Sequence, residues 1–109
     1  VLNIHPALLP DGTEEVVESS RGPMPVLRGA HAVRDALRQR LPLTGATVHV
    51  VTSVVDTGPV LLREEVPILE GDDQDRLHNR IKRVEHGLLP RAVALALANQ
   101  AAEESSWRA

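Results

Sequence analysis

The chain has 109 residues, 42% of them apolar, and a formal net charge of -3. That is enough for one small domain, and it is neither polar enough to stay disordered nor basic enough to suggest binding to nucleic acid or a membrane surface. Cysteine is absent, which excludes disulfides, thiolate metal sites and a cysteine nucleophile, and no apolar run is long enough to span a membrane. Trp107 is the sole aromatic residue and sits in a polar tail, so the core has to be aliphatic.

Residues 1–4 are mostly β-forming or apolar, and Pro6 stops a strand just after His5. Asn3 and His5 are two apart, so an extended chain presents both on one face. An amide and an imidazole at a strand exit suit a ligand site, because open α/β sheets bind ligands beyond the carboxyl ends of their strands. The plainer alternative is a pair of polar residues capping a turn. The chain opens with Val1 in strand-like sequence and has no signal-peptide pattern, which reads as a fragment of a cytoplasmic protein.

Residues 11–29 read as a long excursion punctuated by the turn signals Asp11-Gly12 and Arg21-Gly22-Pro23, and a flexible hairpin is expected there. Val33, Leu37 and Leu41 recur at helical spacing, predicting a helix over 30–40 that Leu41-Pro42 ends. Residues 47–51 have the character of a buried strand. Residues 53–59 form a turn-rich loop around Asp56 and Gly58. Residues 60–62 and 65–68 read as a further strand, bent or at a sheet edge because Pro67 cannot donate to a central ladder.

Asp72 or Asp73 is placed to cap a helix whose apolar stripe runs Leu77, Ile81, Val84, Leu88, Ala92 and Leu95. Gly87 and Pro90 predict a kink or a break in it, and fraying is expected beyond about Gln100. The organisation expected is one partial domain over 1–100, with 11–28 as an inserted loop or hairpin and 101–109 as a flexible tail.

Three polar groups can be weighed together: Asn3, His5 and Asp56. An imidazole near a carboxylate can be held in one tautomer and relay protons. An amide beside them can donate to an oxyanion developing on a carbonyl carbon. Such a set suits acyl transfer to an amine, although 51 residues separate His5 from Asp56 and spacing alone does not establish the site.

Five ordered blocks then carry a resemblance: Asn3-Ile-His-Pro-Ala-Leu-Leu-Pro10, Gly29-Ala-His-Ala-Val-Arg-Asp-Ala-Leu37, Thr44-Gly-Ala-Thr-Val-His49, Val55-Asp-Thr-Gly-Pro59, and Arg80-Ile-Lys-Arg-Val-Glu-His86 through Leu89-Pro90. Together the sequence resembles the folate-dependent formyltransferases. It is most similar to the carboxyl-terminal half of their purine-pathway branch, whose acceptor is the amine of glycinamide ribonucleotide and whose donor is 10-formyltetrahydrofolate. The fold implied is α/β: half of a Rossmann-like formyltransferase fold, with short strands and two main helices.

The resemblance implies catalytic roles for Asn3, His5 and Asp56. It implies a folate-wrapping loop of Thr52, Ser53, Val54, Val55 and Asp56, with Leu9 also on the folate side. Substrate contacts fall on Glu85, at the ribose, and on His31, and the Leu9-Pro10 bond aligns with one that is cis in the family. No metal and no nucleic-acid partner is implied for that branch. A missing amino-terminal half would carry the phosphate anchor, so the isolated chain is expected to be weak or inactive.

Other readings remain beside this one. A formyltetrahydrofolate hydrolase or a tRNA formyltransferase would share the fold, and a shortened folate-binding module would share the residues without the chemistry. His49 inside a strand reads as a satisfied core histidine, and His78 and His86 as helix-surface residues. Asp72, Asp73 and Asp75 lack the spacing and glycine of a calcium loop and read as capping residues.

Overall fold

The chain runs β1 (Leu2–His5), β2 (Val16–Ser19), β3 (Gly22–Pro25), α1 (Ala32–Arg38), β4 (Leu43–Val50), β5 (Val60–Pro67) and α2 (Gln74–Trp107). The computed structural model describes residues 2–53 and 58–107, with side chains through residue 102. The main sheet has the order β1-β4-β5 with both pairs antiparallel, and β2 and β3 form a separate hairpin.

Period-two alternation sorts the sheet into two faces. Leu2 and Ile4 of β1, Ala46 and Val48 of β4 and Val66 of β5 join one apolar cluster with Leu77, Ile81, Leu88 and Ala92 of α2. Leu77, Ile81 and Ala92 are completely enclosed. Burial of each large side chain in this layer is worth about 1.5–3 kcal/mol, which is why the long helix lies across β4 and β5.

The opposite face is covered by the chain's own return. Pro6 ends β1, and residues 6–10 cross back over β4. There the Thr47 hydroxyl donates to the Ala7 carbonyl at 2.7 Å and accepts the Leu9 N–H at 3.1 Å. Arg63 of β5 donates to the Leu9 carbonyl at 2.8 Å. The arm passes so close to β4 that a Cβ on Gly45 would run into the Leu8 side chain, and would come within 2.5 Å of the Glu64 carbonyl. Glycine is required at 45 by this approach.

The hairpin expected over 11–28 is present and laid on the same side. Val17 and Met24 bury against Leu8 and Leu43. At its tip, the Ser20 N–H and hydroxyl both donate to the Glu65 carboxylate, at 2.8 and 2.5 Å. Those two bonds, with the charge of Arg63, hold the Glu65 carboxyl below its usual range.

Several expectations change. The helix expected over 30–40 is confined to Ala32–Arg38, because Arg40 turns left-handed (φ 53°) and the Leu41 N–H reaches back to the Ala36 carbonyl, ending the helix well short of Pro42. β4 is longer than the 47–51 expected, starting at Leu43. β5 is one continuous strand at the sheet edge with Pro67 at its end, as a proline there requires.

The kink or break expected at Gly87 and Pro90 is not a break: α2 continues through both. Pro90 removes one N–H from the ladder, but His86, whose carbonyl loses that partner, is open to water. Leu88 and Ala92, on either side of Pro90, remain seated in the core. Nor does the helix stop at Gln100. It reaches Trp107 through an alanine-rich stretch of high helix propensity, across the boundary placed at residue 100. The Leu9-Pro10 bond, expected to be cis, is trans, the state favoured for an X-Pro bond by about 0.5–1 kcal/mol.

Both candidate caps act at the start of α2, in different ways. Asp73 accepts the Arg76 N–H at 2.8 Å as an N-cap. Asp72 receives the Arg80 guanidinium in a two-pronged pair, at 2.7 and 2.9 Å, and also the Leu69 N–H at 2.8 Å. The Arg80 bonds, then the Leu69 bond, lower the Asp72 carboxyl from its ordinary 3.8 to about 2. A group that titrates lower when folded stabilises the fold above its unfolded value and loses that contribution as pH falls through the folded value. Denaturation midpoints of the native chain and of Asp72→Asn are therefore expected to differ at neutral pH and to converge between about pH 4 and pH 2. A gap that stays constant with pH would refute the role of the pair.

Candidate functional site

The site begins at the exit of β1. Asn3 stands directly opposite His49 of β4, and His5 opposite Thr47, so all four side chains belong to the sheet face away from α2. The alternation of polar residues in β4, Thr47 then His49, repeats that of β1, Asn3 then His5. Between Val48 and His49 the ladder to β5 slips by one residue, a bulge of the kind common beside ligand sites.

His5 is buried, with 4% of its surface exposed, and its Nε2 lies 2.6 Å from the Leu27 carbonyl. A carbonyl can only accept, so Nε2 carries the proton. His49 is likewise buried. Its Nδ1 donates to the Val50 carbonyl at 3.2 Å, and its Nε2 accepts from the Asn3 side-chain amide at 3.4 Å. That geometry fixes which way round the exposed Asn3 amide sits, because an unprotonated ring nitrogen accepts only from the NH2 end. The expectation of a satisfied core histidine at 49 holds, and the residue satisfying it is the candidate catalytic asparagine.

The remaining candidates divide. Glu85, on α2, is half-buried, and burial raises its carboxyl above the ordinary range against the opposing charges of His78, His86, Lys82 and His5. His31 is exposed at the start of α1. Thr52 and Ser53 are exposed just beyond β4. Val54, Val55 and Asp56 lie outside the described residues. The base of their loop is closed by the Val50 N–H on the Pro59 carbonyl at 2.9 Å, and by the Val60 N–H on the Asp11 carboxylate at 2.6 Å. Leu9 is 1% exposed with its N–H and C=O both engaged, so it forms part of the wall beneath the site and offers no side-chain surface.

Sequence reasoning passed over three parts of this arrangement: the Leu27 carbonyl, Thr47 and Arg63. Two polar residues at period two in an otherwise apolar strand were a usable signal for Thr47. A backbone carbonyl arriving from 22 residues away leaves no sequence signal at all.

This fold and this strand-exit site define a domain of the formyl transferase class. The formyl transferase family model matches residues 1–93, and the chain belongs to that family. In particular, the chain is 46% identical over 93 residues to the phosphoribosylglycinamide formyltransferase of Mycobacterium tuberculosis, a match covering 85% of this chain and 36% of that protein. It is 37% identical over 95 residues to the human trifunctional purine biosynthetic protein adenosine-3, covering 87% of this chain and 8% of that one. The crystal structure of phosphoribosylglycinamide formyltransferase from Bacillus halodurans superposes with a TM-score of 0.70 at 35% identity, covering 92% of this chain and 43% of the other.

The chain therefore spans about a third of the length of its mycobacterial relative and 43% of the Bacillus structure, somewhat less than the half expected. Among the described residues, no helix is long and apolar enough to cross a membrane.

Proposed function

We propose that this chain supplies the catalytic and folate-binding part of a glycinamide ribonucleotide formyltransferase acting in purine biosynthesis. The observation that carries the reading is the pairing at the exit of β1: Asn3 with its amide oriented by His49, and His5 with its ring oriented by Leu27, on one sheet face.

In this reaction the amine of glycinamide ribonucleotide attacks the formyl carbon of 10-formyltetrahydrofolate. A C–N bond forms, negative charge collects on the formyl oxygen, and the bond from that carbon to N10 of the folate then breaks. The proton lost by the amine goes to N10, leaving the formylated ribonucleotide and tetrahydrofolate. The Asn3 N–H group and a protonated His5 stabilise the oxyanion, and the low-dielectric surroundings of the buried His5 strengthen its share. Asp56 steers the proton, the loop 52–56 wraps the folate, and Glu85 and His31 face the ribonucleotide. Asn3, His5 and Asp56 supply the chemistry, and the remainder of a full-length formyltransferase supplies the phosphate anchor whose binding energy the reaction uses.

The test is to combine the chain with the part of a formyltransferase that it does not span, supply 10-formyltetrahydrofolate with and without glycinamide ribonucleotide, and follow both formylated product and formate. Acceptor-dependent formyl transfer is expected. Formate release that ignores the acceptor would replace this reading with a hydrolase, and folate binding without turnover would replace it with a binding module.

A further inference from the structure

The insertion at 11–28 reaches the site through its exit arm. Below the β2–β3 ladder, three further bonds lace the base of its two arms: the Val26 N–H to the Glu15 carbonyl at 3.0 Å, and the Arg28 guanidinium to the carbonyls of Gly12 and Glu14, both at 2.9 Å. Leu27 lies between the two anchored residues. Its side chain packs among Ala7, Ala32 and Ala36, while its carbonyl receives the Nε2–H of His5 at 2.6 Å. Side-chain packing fixes where Leu27 sits. It does not fix the rotation of the peptide plane between Leu27 and Arg28, which sets the direction of the carbonyl.

We infer that Arg28 is a positioning residue for His5: by tying the exit arm of the hairpin to its entry arm, it aims the Leu27 carbonyl and so holds the imidazole in one orientation and one tautomer. A guanidinium suits this task because the two hydrogens of its Nη2, which reach the two carbonyls, lie in a fixed plane, whereas an ammonium turns freely on its stem. The docked tip, Ser20 on Glu65, and the buried Val17 and Met24 hold the body of the hairpin on the sheet, so the lacing at its base acts from a fixed support. That this lock serves formyl transfer rests on the function proposed above. The lock itself does not.

The test reads the imidazole directly in the 109-residue chain, without turnover. Ring nitrogen-15 resonances are recorded at about pH 8, where an ordinary imidazole is neutral, with His5 assigned by its disappearance in His5→Gln. In the native chain His5 is expected to show two widely separated ring resonances, that of a protonated Nε2 and that of an unprotonated Nδ1. In Arg28→Ala these are expected to draw together toward averaged values, and in Arg28→Lys to lie between. His49, held by Asn3 and Val50, serves as the internal standard and should not move. Unchanged His5 resonances in Arg28→Ala would overturn the inference, and so would equal movement of His5 and His49, which marks general loosening. Formyl transfer is assayed separately, so failure of the proposed function and failure of the lock give different results.

Discussion

In the reconstituted formyl-transfer assay, His5→Gln is expected to lower kcat about 10²–10⁴-fold, the usual worth of a positioned acid–base group. Glutamine can still offer an N–H toward the Leu27 carbonyl, so the buried hydrogen bond is kept and the loss is chemical and not structural. Asn3→Ala is expected to cost about 10²–10³-fold, as removal of one oxyanion donor does elsewhere. Asn3 is exposed, so its truncation leaves no void, but it takes the amide from the buried His49 Nε2, and a modest fall in the thermal midpoint is expected beside the loss of rate. Rates within about tenfold of native for both variants would remove these residues from the chemistry.

Ile81→Ala is expected to have the largest effect on stability. Ile81 is completely enclosed in the layer between α2 and the sheet, where it shares a cluster with Val48, Val66 and Leu77. Truncation leaves a void that the surrounding strands cannot fill, at a cost of about 2–5 kcal/mol. A domain of this size holds only about 5–15 kcal/mol in total, so the variant sits close to unfolding at ordinary temperature. Leu97→Ala, on the same helix but at a position 61% exposed, is expected to change stability by less than about 0.5 kcal/mol. Chemical denaturation of both variants decides the matter. Equal losses would mean that the sheet-facing stripe of α2 is not what holds the helix.

Much of this molecule can be read from local pattern. The stripe Leu77, Ile81, Leu88 and Ala92 announces both the helix and its buried face, and Pro67 announces an edge strand, because each signal depends on neighbours in sequence. Of the kink or break expected at Gly87 and Pro90, the break is absent because packing on either side of Pro90, where Leu88 and Ala92 are seated, outweighs local propensity. The helix is shorter than its 30–40 pattern because nothing in sequence marks Arg40 as the residue that turns left-handed, a position where glycine is usual.

At the candidate site, the pairing of Asn3 with His5 follows from a spacing of two. The orientation of each does not. Asn3 is set by His49 and His5 by Leu27, through contacts that exist only once strand register and the hairpin are in place. His49 illustrates the limit well: its reading as a satisfied core histidine is correct and still misses that its partner is the candidate oxyanion donor.

Gly45 has a consequence for how this chain can change over time. A residue that only crowds a neighbour's side chain can be exchanged if the neighbour shrinks, so a larger residue at 45 could be accommodated by a smaller one at 8. Here the second obstruction is the Glu64 carbonyl, which every amino acid carries. No substitution elsewhere can remove it, so variation at position 45 is closed off even when Leu8 is free to vary. The two positions are therefore not expected to vary as a matched pair: position 45 is held by backbone, and position 8 only by what fits above it.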